Sequence, residues 1–170
     1  METSTRLAGD PHVLLEDRVR RGAAELTLLL GVSLPLLFLG LGLDFLDPDE
    51  GLYADVARAM LATGDWVLPR FNGLPYLEKP PLYFWLGMLT LGLGWPPEWS
   101  LRAWSAAAAL GSVLLVWRIG RRLYGGPAGV LGALALASTA GYGLYVRKAS
   151  TDFVFVFCLT LALYGFLRDV

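Results

Sequence analysis

Residues Leu26–Leu43, with the sequence LTLLLGVSLPLLFLGLGL, contain no charged side chain over 18 positions. About 20 apolar residues in a helix cross the hydrocarbon core of a bilayer. Pro35 lies inside this stretch, where neighbouring helices can satisfy the carbonyl that it frees. The whole sequence is 55% hydrophobic with a mean hydropathy of +0.53, above the roughly 45–50% apolar content of soluble domains. We therefore predict an all-α integral membrane protein.

We expect a membrane span here and not a cleaved signal peptide, because the stretch begins far into the sequence and no small-residue cleavage site follows it. The predicted spans cover residues 24–43, 99–117, 125–146 and 153–168. The second span requires that the Arg102 side chain reach the interface. The apolar run Leu82–Gly94 is too short to cross, so we expect an interfacial or re-entrant helix there.

Basic residues indicate the direction of these spans. Cytoplasmic segments carry an excess of Arg and Lys, and arginines precede the first span and follow the second: Arg18, Arg20, Arg21, Arg118, Arg121 and Arg122. We therefore predict a cytoplasmic polar tail at residues 1–22 and an outer-face loop at residues 44–98. The net charge of −1 gives no indication of nucleic-acid binding, and Cys158, as the only cysteine, excludes an internal disulfide.

The loop carries its own structural signals. Asp47 can cap a helix whose first position is Pro48, with Glu50 at the capping-box position. Gly64 is a typical helix stop. Asn72-Gly73 predicts a tight turn between two short apolar stretches. The loop is therefore predicted to hold juxtamembrane helices and a hairpin.

The charged residues of this region have structural alternatives to a chemical role. Glu50 can be only a capping partner, Asp49 only a favourable charge at a helix N-terminus, and Lys79 only an interfacial lysine. Asp152 can form an ion pair with Arg147, since an acid at the mouth of a span is costly unless it is paired or used. An interfacial aromatic belt is the simplest role for four tryptophans: Trp66, Trp85, Trp95 and Trp99.

Several short motifs in a fixed order resemble one family. They are Asp49-Glu50-Gly51-Leu52-Tyr53-Ala54, Gly64-Asp65-Trp66, Pro69-Arg70-Phe71-Asn72-Gly73, Glu78-Lys79-Pro80-Pro81, Leu101-Arg102, Arg121-Arg122-Leu123-Tyr124-Gly125 and Thr151-Asp152. The set resembles the membrane glycosyltransferases of families 39 and 83, with the type C fold, among them protein O-mannosyltransferases and the bacterial aminoarabinose transferase. The resemblance covers about residues 30–168. Residues 23–168 are then the N-terminal part of such a domain, in the bacterial cytoplasmic membrane.

The resemblance implies an inverting transferase, either a hexosyl- or a pentosyltransferase. Its donor is a polyprenyl-monophosphate sugar, and its acceptor is a lipid, a protein or a polysaccharide. Inversion needs a base for the acceptor proton. The resemblance gives this role to Asp49, with Glu50 supporting it and Asp152 as the second acid of the site.

The leaving group of that reaction is a lipid phosphate, whose charge a cation can neutralise. By position, Lys79 resembles the phosphate-binding lysine of the family, and Tyr53 is a hydrogen-bond donor beside it. Arg147 is a candidate for the same task from its charge and its side of the membrane. The resemblance makes Glu78 a further candidate for binding the substrate phosphate or a divalent ion, although the sequence offers no second ligand for such an ion. The resemblance makes no cofactor certain and leaves a divalent cation open.

Two other classes compete with catalysis. Relatives are much longer, so we expect this chain to be the N-terminal part of a larger protein, and a non-catalytic fragment or assembly subunit stays an alternative. A lipid or sugar transporter would place paired charges at the middle of the membrane. The charges of this chain lie at the ends of its spans, which disfavours that class.

Overall fold

The computed structural model describes residues 11–45 and 47–169. Within them lie seven helices and one two-stranded hairpin: α1 Pro11–Phe38, α2 Pro48–Thr63, β1 Arg70–Phe71, β2 Leu74–Pro75, α3 Leu82–Gly92, α4 Pro97–Tyr124, α5 Gly126–Ser138, α6 Ala140–Val146 and α7 Thr151–Asp169.

Three helices are long and apolar enough to cross a membrane: α1 from His12, α4, and α7 as far as Arg168. Helices α5 and α6 meet the same test together, although the chain bends by 58° between them. Counting that pair as one broken span gives four. The prediction of an all-α membrane fold with about four spans is therefore confirmed. Helix α3, with 11 residues, is too short to be one of them.

The helices extend beyond the apolar stretches of the sequence. Helix α1 already begins at Pro11, within the predicted polar tail, and α4 continues past its apolar part to Tyr124. A helix satisfies its backbone hydrogen bonds internally in water as well as in lipid, so hydropathy does not set its ends. Gly125, with φ +96°, stops α4 in a conformation that side chains disfavour.

The loop folds as its local signals predict. The Asp47 carboxylate accepts a hydrogen bond of 3.2 Å from the Asp49 amide, and Pro48 opens α2. The turn at Asn72-Gly73 has positive φ at both residues, and it aligns Arg70 with Pro75 in the antiparallel hairpin.

Buried side chains fasten the loop helices to the spans. In the larger apolar cluster, Val56 of α2 and Phe84 of α3 pack with Leu101 of α4. The Tyr83 hydroxyl donates to the Leu101 carbonyl at 3.1 Å. A smaller cluster around Trp117 joins α1, α4 and α5 at the other end of the bundle. The loop helices therefore pack against the N-terminal half of α4.

Candidate functional site at the loop end of the bundle

The first turn of α2 separates two neighbouring acids. Successive helical positions point about 100° apart, and the structure leaves Asp49 exposed while Glu50 is 1% exposed. A buried carboxylate needs partners, whereas an exposed one is available to a substrate. The Asp-Glu pair therefore provides one structural acid and one accessible acid.

Glu50 forms a buried ion pair with Arg102. Its two carboxylate oxygens accept hydrogen bonds from Arg102 Nε at 2.7 Å and Nη2 at 2.9 Å, and the Ala149 amide donates a third at 2.7 Å. These contacts make Glu50 a buried partner of Arg102 and of the turn before α7, beyond the capping role considered from the sequence. The Arg102 side chain does not reach solvent: it is 3% exposed and is buried against the loop. Charge pairing offsets the cost of burying both groups.

The remaining donors of Arg102 hold the chain that follows α1. Its guanidinium donates to the Leu41 carbonyl at 3.0 Å, to the Asp44 carbonyl at 3.2 Å and to the Leu43 carbonyl. It also lies 5.2 Å from the centroid of the Phe45 ring. One side chain of α4 thereby fixes the segment 41–45, the start of α2 and, through Glu50, the turn before α7.

A second ion pair ties that turn to α2. Lys148 Nζ lies 2.8 Å from an Asp47 carboxylate oxygen, with both side chains partly exposed. The hydrogen bond from Lys148 holds the pKa of Asp47 below its usual value, and the bond from the Asp49 amide acts in the same direction. In turn, Asp47 raises the pKa of Lys148.

A cavity of about 160 Å³ lies between the start of α2, the segment after β2 and the turn before α7. Its lining includes Asp47, Asp49, Glu50, Tyr53, Lys79, Tyr145, Lys148, Ala149, Ser150 and Asp152. We call it the acidic cavity. It brings together all three acids that the sequence singled out as catalytic, with the two binding candidates Tyr53 and Lys79.

Three of the charged side chains that line the acidic cavity take part in none of the ion pairs among the described residues. The ion pairs among the described residues are Arg58–Asp55, Arg102–Glu50, Arg121–Glu25 and Lys148–Asp47. Within the acidic cavity, Asp49, Asp152 and Lys79 are therefore the charged side chains that none of these pairs includes. The cavity thus offers two carboxylates and one ammonium to a ligand.

Tyr53 forms the apolar floor of the cavity. It is 6% exposed and packs edge-to-face on Tyr83 and Phe84, with ring centroids 6.1 and 6.0 Å away. Burial raises the pKa of Tyr53 to about 12, and Asp49 and Asp152 are among the nearby charges that add to the shift. The phenol therefore stays protonated at neutral pH and can donate a hydrogen bond.

Two predicted binding residues lie outside the acidic cavity. Arg147 lines an adjacent cavity of about 420 Å³, which also contacts Glu50 and Arg102. Its Nη2 donates to the Leu36 carbonyl at 3.5 Å. It forms no ion pair with Asp152, whose amide instead donates to Ser150 Oγ at 3.1 Å. Glu78 is exposed and lines neither cavity.

The described residues contain no group of three or more His, Cys, Asp or Glu side chains placed to hold a metal ion. Glu78 therefore has no set of co-ligands within the part of the chain that the structure shows. No step is assigned to a metal.

Sequence reasoning missed the pairing residues of the site. Lys148 is a basic residue at the end of the bundle predicted to face outward, where the positive-inside rule makes lysine uncommon, and this position is the signal that the sequence offers for it. Arg102 was visible as a charge within an apolar span, which usually marks a paired or functional group, and as part of the Leu101-Arg102 motif, but neither signal names its partner. The partner of Arg102 is 52 residues earlier in the chain, and no periodicity relates two positions so far apart.

Comparison with known proteins identifies relatives of the chain. Residues 78–170 match the family model described as dolichyl-phosphate-mannose-protein mannosyltransferase. The undecaprenyl phosphate-alpha-4-amino-4-deoxy-L-arabinose arabinosyl transferase of Edwardsiella ictaluri is 37% identical over 123 residues, covering 70% of this chain and 22% of that protein. The protein of the same name from Pseudomonas aeruginosa is 37% identical over 119 residues, covering 68% and 21%.

Solved structures show the same architecture. The crystal structure of ArnT from Cupriavidus metallidurans in the apo state matches with a TM-score of 0.74 and 30% identity, over 84% of this chain and 27% of that one. The structure of the same protein bound to undecaprenyl phosphate matches with a TM-score of 0.74 over 82% and 26%. The chain thus spans about a fifth of the length of these curated relatives and about a quarter of the crystallised chains.

Proposed function

The chain belongs to the dolichyl-phosphate-mannose-protein mannosyltransferase family of membrane glycosyltransferases, and we propose that it forms the donor site and carries the base of a polyprenyl-phosphate-sugar transferase. The arabinosyl transferases and the undecaprenyl phosphate complex among its relatives support this class of donor. The proposed acceptor is a hydroxyl group on a lipid, a protein or a polysaccharide.

The acidic cavity is the observation that carries the proposal. An inverting transfer needs a base that is not already neutralised and a cation for the phosphate that leaves. Two ion pairs neutralise Glu50 and Asp47. Asp49 and Lys79 stay outside those pairs and line the same 160 Å³ cavity, so both requirements are met in one place.

In the proposed reaction, Asp49 takes the proton of the acceptor hydroxyl. The acceptor oxygen then forms a bond to the anomeric carbon of the sugar, while the bond from that carbon to the phosphate oxygen breaks. Lys79 stabilises the departing polyprenyl phosphate by its charge, and the protonated Tyr53 phenol donates a hydrogen bond to it. Inversion follows because the oxygen attacks opposite the leaving phosphate.

The other candidate residues are given supporting roles. Glu50 holds the first turn of α2 through Arg102 and so orients Asp49. Asp152 lines the cavity from the start of α7 and orients the acceptor. Arg147 supplies a second cation in the adjacent cavity, where its buried Nε has no hydrogen-bond partner among the described residues.

The proposed location is the bacterial cytoplasmic membrane with the acidic cavity on its outer face. Five arginines line cavities at the opposite end of the bundle. The positive-inside rule places that end, and the N-terminus with it, in the cytoplasm.

Substitution of Asp49 tests the proposal. Membranes that contain the protein are supplied with an undecaprenyl-phosphate aminoarabinose donor and a lipid acceptor, and transfer of labelled sugar is measured. Asp49→Asn should lower the rate by at least about 100-fold, since a positioned base contributes roughly 10²–10⁴-fold. Asp55→Asn is the matched control and should keep the rate, because Asp55 is an exposed acid of the same helix paired with Arg58.

Two results would contradict this function. A rate for Asp49→Asn close to that of the control would exclude Asp49 as the base. Absence of transfer by the unsubstituted protein under the same conditions would exclude catalysis by this chain alone and favour a non-catalytic subunit.

A further inference from the structure

A second charged region lies at the end of the bundle opposite the acidic cavity. A cavity of about 590 Å³ opens there between α1, the last turns of α4 and the end of α7, and it is lined by Arg18, Arg118, Arg121 and Arg122 together with Trp117 and Tyr164. We call this cavity the arginine pocket. An adjoining cavity of about 420 Å³ shares Arg18 and Arg121 and adds Arg21, Asp17 and Glu25.

The charges of this region do not balance. Five arginines and two acids line the two cavities, which leaves a formal charge of +3 in a chain whose net charge is −1. Arg121 pairs with Glu25 at 2.7 Å. Among the described residues, the other four arginines take part in no ion pair. An anion from outside this part of the chain would lower their mutual repulsion.

The pocket is held in shape by contacts of its own. Trp117 is 6% exposed, and its indole Nε1 donates to Glu25 at 2.9 Å. The guanidinium carbons of Arg118 and Arg121 lie 6.0 and 5.7 Å from the Trp117 ring centroid. A Cβ added at Gly126 would stand 2.6 Å from a Glu25 carboxylate oxygen, so the start of α5 lies directly against this pair.

We propose that the arginine pocket binds the phosphate headgroup of an anionic phospholipid of the surrounding bilayer. Planar guanidinium groups match phosphate oxygens in a bidentate geometry. The pocket lies at the ends of three candidate spans, α1, α4 and α7, which is the depth at which lipid headgroups are found. Trp117 and Tyr164 in its lining are the aromatic residues typical of a membrane–water interface. It lies at the other end of the bundle from the proposed donor site and does not depend on that function.

Native mass spectrometry of the 170-residue chain in neutral detergent tests the site, with phosphatidylglycerol and phosphatidylcholine titrated separately. Phosphatidylglycerol should bind first and more tightly. The double variant Arg118→Gln/Arg122→Gln should weaken phosphatidylglycerol binding roughly 30-fold, because each arginine near an anionic lipid surface contributes about fivefold. Neither arginine is in an ion pair among the described residues, so the helix content by circular dichroism should not change.

The double variant Arg58→Gln/Arg70→Gln is the control, because it also removes two positive charges but does so at the loop end of the bundle. It should bind phosphatidylglycerol as tightly as the unsubstituted chain does. Equal affinity for both lipids would overturn the proposal, as would an equal loss in the control. Complete displacement of phosphatidylglycerol by inorganic phosphate or by an acidic peptide at matched concentration would also overturn it, since the pocket would then recognise a free anion or a protein.

Discussion

Asp49 and Glu50 are adjacent in sequence and line the same cavity, but they differ in burial and in ion pairing. Glu50 is buried and accepts hydrogen bonds from Arg102 and from the Ala149 amide, so its charge is compensated within the protein. Asp49 is exposed and belongs to none of the ion pairs among the described residues. Removing one partner of a buried ion pair typically costs about 3–5 kcal/mol. Loss of activity on substitution of Glu50 would therefore report folding as well as catalysis.

The two lysines of the sequence, Lys79 and Lys148, allow a test of the Asp47–Lys148 pair. Amine acylation consumes the neutral amine. The Asp47 carboxylate raises the pKa of Lys148 above its usual value, which lowers the fraction of Lys148 that is neutral at pH 8–9. Asp47→Asn removes the charge but keeps a good helix cap. We expect Lys148 to be acylated several-fold faster in this variant at pH 8–9.

Peptide mass spectrometry measures this rate, and the rate at Lys79 in the same sample is the internal reference. An unchanged ratio between the two lysines would show that the pair does not form in solution. Asp55→Asn, which removes an acid paired with Arg58 instead, should leave the ratio as it is.

Among the helices, those with strong local signals were predictable from sequence. Pro48 and Gly64 bound α2 to within a residue of where the sequence places it, and Asn72-Gly73 set the register of the hairpin. The bend of 58° between α5 and α6 was not predicted. Thr139 lies at that break in an extended conformation. Gly141 and Gly143 follow within four residues, but glycines occur throughout this apolar run and do not single out the break.

Close contact between α4 and α5 depends on glycine. A Cβ added at Gly129 would lie 2.6 Å from both the Arg121 amide and the Trp117 carbonyl, which are backbone atoms of α4. Gly129→Ala should therefore force the helices apart and destabilise the chain by about 1–3 kcal/mol, the usual cost of overpacking. Thermal unfolding in detergent, followed by circular dichroism, measures the change.

Gly132→Ala is the matched control on the same helix, since its added Cβ would meet Val116 at an ordinary 3.7 Å. It should unfold at the same temperature as the original chain or slightly higher, because alanine favours helices. Equal unfolding temperatures for the Gly129 and Gly132 variants would contradict the close approach of α4 and α5.

For the whole chain, hydropathy and the order of the motifs were enough to predict that it is a membrane protein, the number of its spans and its family. They also singled out five residues of the acidic cavity. The cavity itself depends on Arg102 of α4 and Lys148 before α7, which reach acids 52 and 101 positions away in sequence. Such contacts follow from packing of the helices, and a single sequence carries no periodic signal for them.

Photoaffinity labelling with an undecaprenyl phosphate that carries a diazirine near its phosphate tests the donor site most directly. The 170-residue chain should be labelled at the start of α2 or at residues 149–152. Lys79→Gln should lose this labelling, whereas Arg58→Gln and Arg118→Gln/Arg122→Gln should keep it. Equal labelling of Lys79→Gln and the original chain, or labelling confined to the arginine pocket, would contradict a donor site in the acidic cavity.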